Sequence, residues 1–186
     1  SAILLGARQV IVIDNVPERL AMAEAGGAVA INFDEQSVLA RLQELTQGKG
    51  PEKCIDAVGL ESHVPRSLDS VYDRVKQAMM LENDRAHVLR EMIYVCRPGG
   101  VLSIPGVYSG LVDKMPMGPL MNKGLTMRAG QTHVKRWTDD LLQLIDEGHI
   151  DPSFVVTHSA GLEQGPEMCN TFRDKQDGCV KVVLKP

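Results

Sequence analysis

The sequence predicts an α/β chain built around a parallel sheet, and three observations lead there. The run Gln9-Val10-Ile11-Val12-Ile13-Asp14 places consecutive β-branched aliphatic residues before a single acid, as in a strand buried on both faces. Strand-like runs near 9–14, 29–33, 54–58 and 100–105 alternate with stretches of helical spacing. Glycine and proline clusters at 26–27, 48–51 and 97–100 fall between them.

The elements follow in chain order. Residues 1–8 read as the end of a helix with Gly6 as its stop. After the strand ending at Asp14, Pro17 suits a first helical position, and Leu20, Ala21, Met22, Ala23 and Ala25 supply an apolar face. Gly26-Gly27 end that helix, and Val29-Ala30-Ile31-Asn32 starts the next strand. Residues 36–48 form a helix through Val38, Leu39, Leu42 and Leu45. Cys54-Ile55-Asp56-Ala57-Val58-Gly59 is then a short buried strand ending on glycine.

Two helical patterns occupy residues 64–81 and 84–96, the first an insertion and the second a crossover helix capped by Asp84. Met79, Met80 and Met92 suit a core better than a cofactor box. Residues 101–108 form a strand and its exit, stopped by Pro105-Gly106. Residues 109–124, rich in Gly, Pro and Met, are expected to be an ordered loop over a ligand or a partner subunit. A strand at 125–130 follows, then an amphipathic helix at 137–148, a short strand at 154–157, a helix around 165–173 and a last strand at 179–184.

Composition narrows the function. The 186 residues are 44% hydrophobic and 24% charged, as in a soluble globular protein. A net charge of −4 without a basic run argues against nucleic acid or an anionic membrane surface as partner. No apolar run approaches the ~20 residues of a membrane span. Cys54, Cys96, Cys169 and Cys179 show no Cys-x-x-Cys spacing and read as reduced, mostly buried thiols of a cytoplasmic protein. The five histidines form no metal-type pairing, so no metal site is expected within this chain.

An acid closing a buried strand before a tight turn into a helix is where a dinucleotide fold grips the adenosine ribose. A carboxylate there accepts from both ribose hydroxyls and repels a 2′-phosphate, so Asp14 favours NAD over NADP; the alternative is a helix-capping Asp. The Gly-x-Gly-x-x-Gly turn that belongs about 20 residues upstream is missing, and only thirteen residues precede Asp14. The expectation is a fragment that begins inside the first crossover helix. Gly59, at a strand's carboxyl tip, would let a ligand approach the backbone or would simply turn the chain.

Together, Val10-Ile11-Val12-Ile13-Asp14-x-x-Pro17-Glu18-Arg19-Leu20, Asp56-Ala57-Val58-Gly59 and Gly99-Gly100-x-x-Ser103-Ile104-Pro105-Gly106-Val107-Tyr108 resemble the cofactor half of zinc-dependent medium-chain alcohol dehydrogenases. So do residues 122–133 and the closing run 177–184. Ile104-Pro105-Gly106-Val107-Tyr108, Gly130-Gln131-Thr132 and the long insertion are most similar to the branch called formaldehyde dehydrogenase. The resemblance implies a Rossmann-type doubly wound parallel sheet lacking its first strand and glycine turn. Residues 1–130 would be a partial NAD-binding domain, and residues 131–186 a carboxy-terminal piece of the catalytic domain.

It also implies roles residue by residue. Asp14 would hold the ribose hydroxyls, with Arg19 near the adenine or ribose. Val58 and Gly59 would line the ribose path, and Ile104, Pro105, Gly106 and Val107 would run beside the nicotinamide. Gly130 and Gln131 would close over that end. Lys181 would meet the pyrophosphate, or else be a solvated strand charge. Hydride would pass between NAD and a small alcohol or aldehyde, zinc-assisted in the full-length parent, whose ligands lie outside this chain. No catalytic residue is expected here, and the parent is expected to be a homo-oligomer. The alternatives are a stand-alone nucleotide-binding module and a zinc-free reductase of the same fold.

Overall fold

The computed structural model describes residues 1–59, 86–108, 112 and 114–186. The predicted helix at 64–81 and the Asp84 cap lie outside them. The chain divides into two compact units, residues 1–30 with 133–186, and residues 31–132.

In the first unit, β1 (Ile11–Asp14) leads into α1 (Pro17–Ala25), with Pro17 in the first turn as expected. β2 (Val29–Asn32), of which Val29 and Ala30 belong to this unit, pairs with β1, its Val29 N–H donating to the Val10 carbonyl at 2.8 Å. β1 is not buried on both faces: Ile13 is 43% exposed and no residue of the strand is fully buried. Among the described residues its sheet has two strands.

The carboxy-terminal part of this unit opens with α5 (Val134–Asp146), which starts three residues earlier than predicted. The strand expected at 154–157 is instead a 3-10 turn at Pro152–Val155. Asp151 accepts the Ser153 N–H at 2.9 Å and Pro152 fixes φ, so local turn chemistry overrides the apolar run. Strand β6 (His158–Gly161) follows. A 3-10 turn at Leu162–Gln164 leads into α6 (Gly165–Arg173), and β7 (Val182–Lys185) starts later than predicted. β6 and β7 are parallel, and α6 packs on both.

The second unit contains α2 (Val38–Leu45), β3 (Lys53–Ile55), α3 (His87–Val95), β4 (Val101–Ile104), α4 (Met117–Asn122) and β5 (Thr126–Ala129). Its parallel sheet runs in the order β3-β4-β5, with Cys54 opposite Leu102 and Leu102 opposite Met127. That shared face meets α3 in a core of Met92, Ile93, Cys96 and Leu102, with Met115 and Leu120 packed against it. Each fully buried aliphatic here contributes about 1.5–3 kcal/mol. The other face carries Lys53, Arg128 and Ile55, the last 64% exposed, so β3 is shorter and less buried than predicted. The fold class is the predicted one, a Rossmann-type α/β piece with parallel strands.

Residues 114–124 are not simply a loop, because α4 lies within them. Gly118 and Pro119 hid it, yet both fall in the first turn, where a missing N–H costs nothing. Most of the helices end alike, α3 excepted. At Gly27, Gly124 and Gly148 a left-handed residue closes paired bonds of the Gly27 N–H to Glu24 O and Ala28 N–H to Ala23 O kind. Gly6 closes the opening turn the same way, as its predicted stop. Gln47 and Lys175 take that position without being glycine.

Candidate functional site

In the first unit, Asp14 ends β1 and its carboxylate is organised before any ligand arrives. Oδ1 accepts the N–H groups of Asn15 at 2.7 Å and Val16 at 3.0 Å, and Oδ2 lies 3.5 Å from the Arg19 guanidinium. Asp14 is not the helix cap: Val16 occupies that position and makes no side-chain cap bond. A 25% exposed carboxylate whose Oδ2 keeps free lone-pair capacity suits a vicinal diol.

Beside it, Val16, Glu18, Arg19, Lys175, Gly178, Cys179 and Val180 line a small depression. Lys181 is exposed, and its peptide group is fixed by Thr157: the Lys181 carbonyl accepts the Thr157 N–H at 3.0 Å. Next to this, His158 bridges Thr157 Oγ1 at 3.0 Å and Asp177 Oδ2 at 3.2 Å, holding the chain where β6 and β7 begin.

The second unit gathers Val58, Gly59, Ile104, Pro105, Gly106, Val107, Gly130 and Gln131 at the carboxyl ends of β3, β4 and β5. The residue that organises them is Asp56, 1% exposed. Its Oδ1 accepts from the N–H groups of Val58 at 3.0 Å and Gly59 at 2.9 Å, while Oδ2 accepts from the Tyr108 hydroxyl. Its peptide N–H donates to Ser103 O at 2.9 Å and its carbonyl accepts the Gly106 N–H at 2.8 Å. Burial first, and then the Asp56 hydrogen bond, push the Tyr108 phenol well above its ordinary range, so it remains a donor.

Gly59 and Gly106 are back to back. A Cβ on Gly59, whose φ is +67°, would stand 2.4 Å from Val107 O; one on Gly106 would stand 2.5 Å from Gly59 N. Both glycines are therefore required by the contact between the two strand tips, whatever binds there. Val58 and Val107 are 49% and 61% exposed, Ile104 is buried, and the Gly130 N–H donates to Ile104 O at 3.3 Å.

Sequence reasoning missed Asp56 and Tyr108 as a pair. An acid inside a strand-like apolar run was the available signal for Asp56. Nothing local links it to a tyrosine 52 residues away. Lys123 was also missed; its ammonium donates to the carbonyls of Ile93, Tyr94 and Cys96 at the end of α3.

Among the described residues no group of three or more His, Cys, Asp or Glu side chains is placed to hold a metal ion. None of their helices is long and apolar enough to cross a membrane.

Residues 1–79 match the family profile described as zinc-binding dehydrogenase. The chain is similar to zinc-type alcohol dehydrogenases. It is 34% identical over 185 residues to a zinc-type alcohol dehydrogenase-like protein of Bacillus subtilis, covering 98% of this chain and 47% of that protein. It is 33% identical over 181 residues to a zinc-type alcohol dehydrogenase-like protein of Schizosaccharomyces pombe, covering 96% and 41%. Among solved structures, an alcohol dehydrogenase from Thermus sp. ATN1 superposes with a TM-score of 0.74 at 29% identity, over 98% of this chain and 45% of that one. The fold alone is shared with a 2R,3R-butanediol dehydrogenase from Bacillus subtilis, at a TM-score of 0.74, 20% identity and coverage of 100% and 46%. The chain thus spans about half the length of the alcohol dehydrogenases it matches.

Proposed function

We propose that this chain is the NAD-binding and carboxy-terminal part of an oxidoreductase that passes hydride between NAD and a small alcohol or aldehyde. The observation that carries the reading is Asp14. It closes β1, is pre-set by two backbone N–H groups, and presents Oδ2 beside Arg19. A carboxylate so placed receives the two hydroxyls of a ribose and repels a 2′-phosphate.

Residues 1–130 are then a partial cofactor domain and residues 131–186 a segment of the catalytic domain. Val58, Gly59, Ile104, Pro105, Gly106, Val107, Gly130 and Gln131 are assigned to the nicotinamide side, and Lys181 to the pyrophosphate. A formaldehyde-type substrate rests on the resemblance at residues 104–108 and 130–132. In the parent, zinc would come with ligands outside this chain, and assembly would be a homo-oligomer in the cytoplasm.

Titrating the chain with NADH and NADPH by nucleotide fluorescence tests the reading. NADH is expected to bind more tightly by about tenfold or more, equivalent to ~1.4 kcal/mol. Asp14→Gly should narrow that preference. An unchanged ratio would remove Asp14 from the site.

A further inference from the structure

We infer that Asp56 is a positioning residue that clamps two strand tips into one rigid rim, with the Tyr108 hydroxyl as its second anchor. That this rim faces a nicotinamide cofactor rests on the reading above; the clamp itself rests on geometry.

Asp56 makes five hydrogen bonds from one buried position. The side chain takes Val58, Gly59 and Tyr108, and the peptide group takes Ser103 and Gly106. Those partners belong to both segments that bear the exposed Val58 and Val107. Between the segments, Gly59 and Gly106 meet too closely for any side chain. A contact that tight holds its register only if something prevents the segments from sliding, and hydrogen bonds to a buried carboxylate do so strongly.

The clamp also sets what the rim can offer a ligand. The N–H groups of Val58, Gly59 and Gly106 are already spent on Asp56. These three positions therefore meet a ligand through carbonyls and apolar surface, which suits the donor side of a carboxamide and a flat ring. An anion would find no donor at them.

Asp56→Asn and Tyr108→Phe in the same chain separate positioning from mere stability. Asparagine still accepts from Val58 and Gly59 and can donate to the phenol oxygen but loses the charge-assisted bonds, so Asp56→Asn should weaken NADH, and by less than Tyr108→Phe. Tyr108→Phe cuts the second anchor and should weaken NADH about tenfold. Tyr108→Phe leaves the buried Asp56 Oδ2 without its donor and should lower the melting temperature, so affinities are compared at a temperature at which both variants are fully folded and the loss reads positioning. Tyr108→Phe binding like the parent would overturn the inference.

If the unmutated chain fails to bind NADH, the cofactor reading falls. The clamp is then decided by amide hydrogen exchange: faster exchange at Gly59 and Gly106 in Tyr108→Phe supports it, and equal exchange overturns it.

Discussion

At the residue scale, the two strand tips show how little room the sequence has. Gly106→Ala adds one methyl group that would stand 2.5 Å from Gly59 N and 2.9 Å from Asp56 O, both backbone atoms. Backbone cannot swing aside as a side chain can, so a cost of about 1–3 kcal/mol is expected, read as a lower urea midpoint. Cys54 gives a second test. Burial, and then the adjacent Cys96, push its thiol from 9.0 up to about 12. Below pH 9 the thiol is protonated in both the folded and unfolded chain. Between 9 and about 12 only the unfolded chain releases the proton, so stability falls as pH rises through that window. The urea midpoint should drop from pH 8 to pH 10, and Cys54→Val should flatten the drop. A slope that Cys54→Val leaves unaltered would assign it to other groups.

At the element scale, α3 depends on a residue far from it in sequence. Lys123 donates to three carbonyls at the end of α3, where the helix dipole is negative and the last carbonyls lack partners. Lys123→Met keeps the aliphatic stem and removes the donors, so a loss of roughly 1–2 kcal/mol is expected on urea unfolding. A loss near zero would mean that water replaces the ammonium. α5 makes the opposite point. Its spacing is strongly amphipathic, yet it buries no residue: Val134, Trp137, Leu141 and Leu142 are 67%, 49%, 46% and 53% exposed. The Arg136 guanidinium, 5.0 Å from the Trp137 ring centre, shields part of this stripe.

At the scale of the whole molecule, that stripe favours association. Light scattering should show a mass that rises with concentration above 20.3 kDa, and Leu141→Lys should lower it. An unchanged, concentration-independent mass would remove α5 from any interface. Met115 is the contrasting case. The sequence suggested a loop residue at an interface, whereas Met115 packs on the core of Met92, Ile93, Cys96 and Leu102. Met115→Glu is therefore expected to act through stability, because it buries a charge among apolar groups.

What the sequence by itself determined was local. Runs of β-branched residues, helical spacing and glycine stops are written in neighbouring residues, so the α/β class, Pro17 at the head of α1 and α6 at Gly165–Arg173 were legible. The tight turn at Asp14 was legible too, since it is closed by Asn15 and Val16. Errors came where local signals conflicted: Asp151-Pro152 turned a strand-like run into a 3-10 turn, and Gly118-Pro119 concealed a helix. Tertiary structure alone decided the rest. That Ile55 is exposed while Cys54 faces the core depends on which side of the sheet α3 covers. Asp56 with Tyr108, Lys123 with α3, and Gly59 against Gly106 join residues 27 to 52 positions apart. Such pairings exist only once the chain has closed those loops, and no periodicity of 2 or 3.6 residues can encode them.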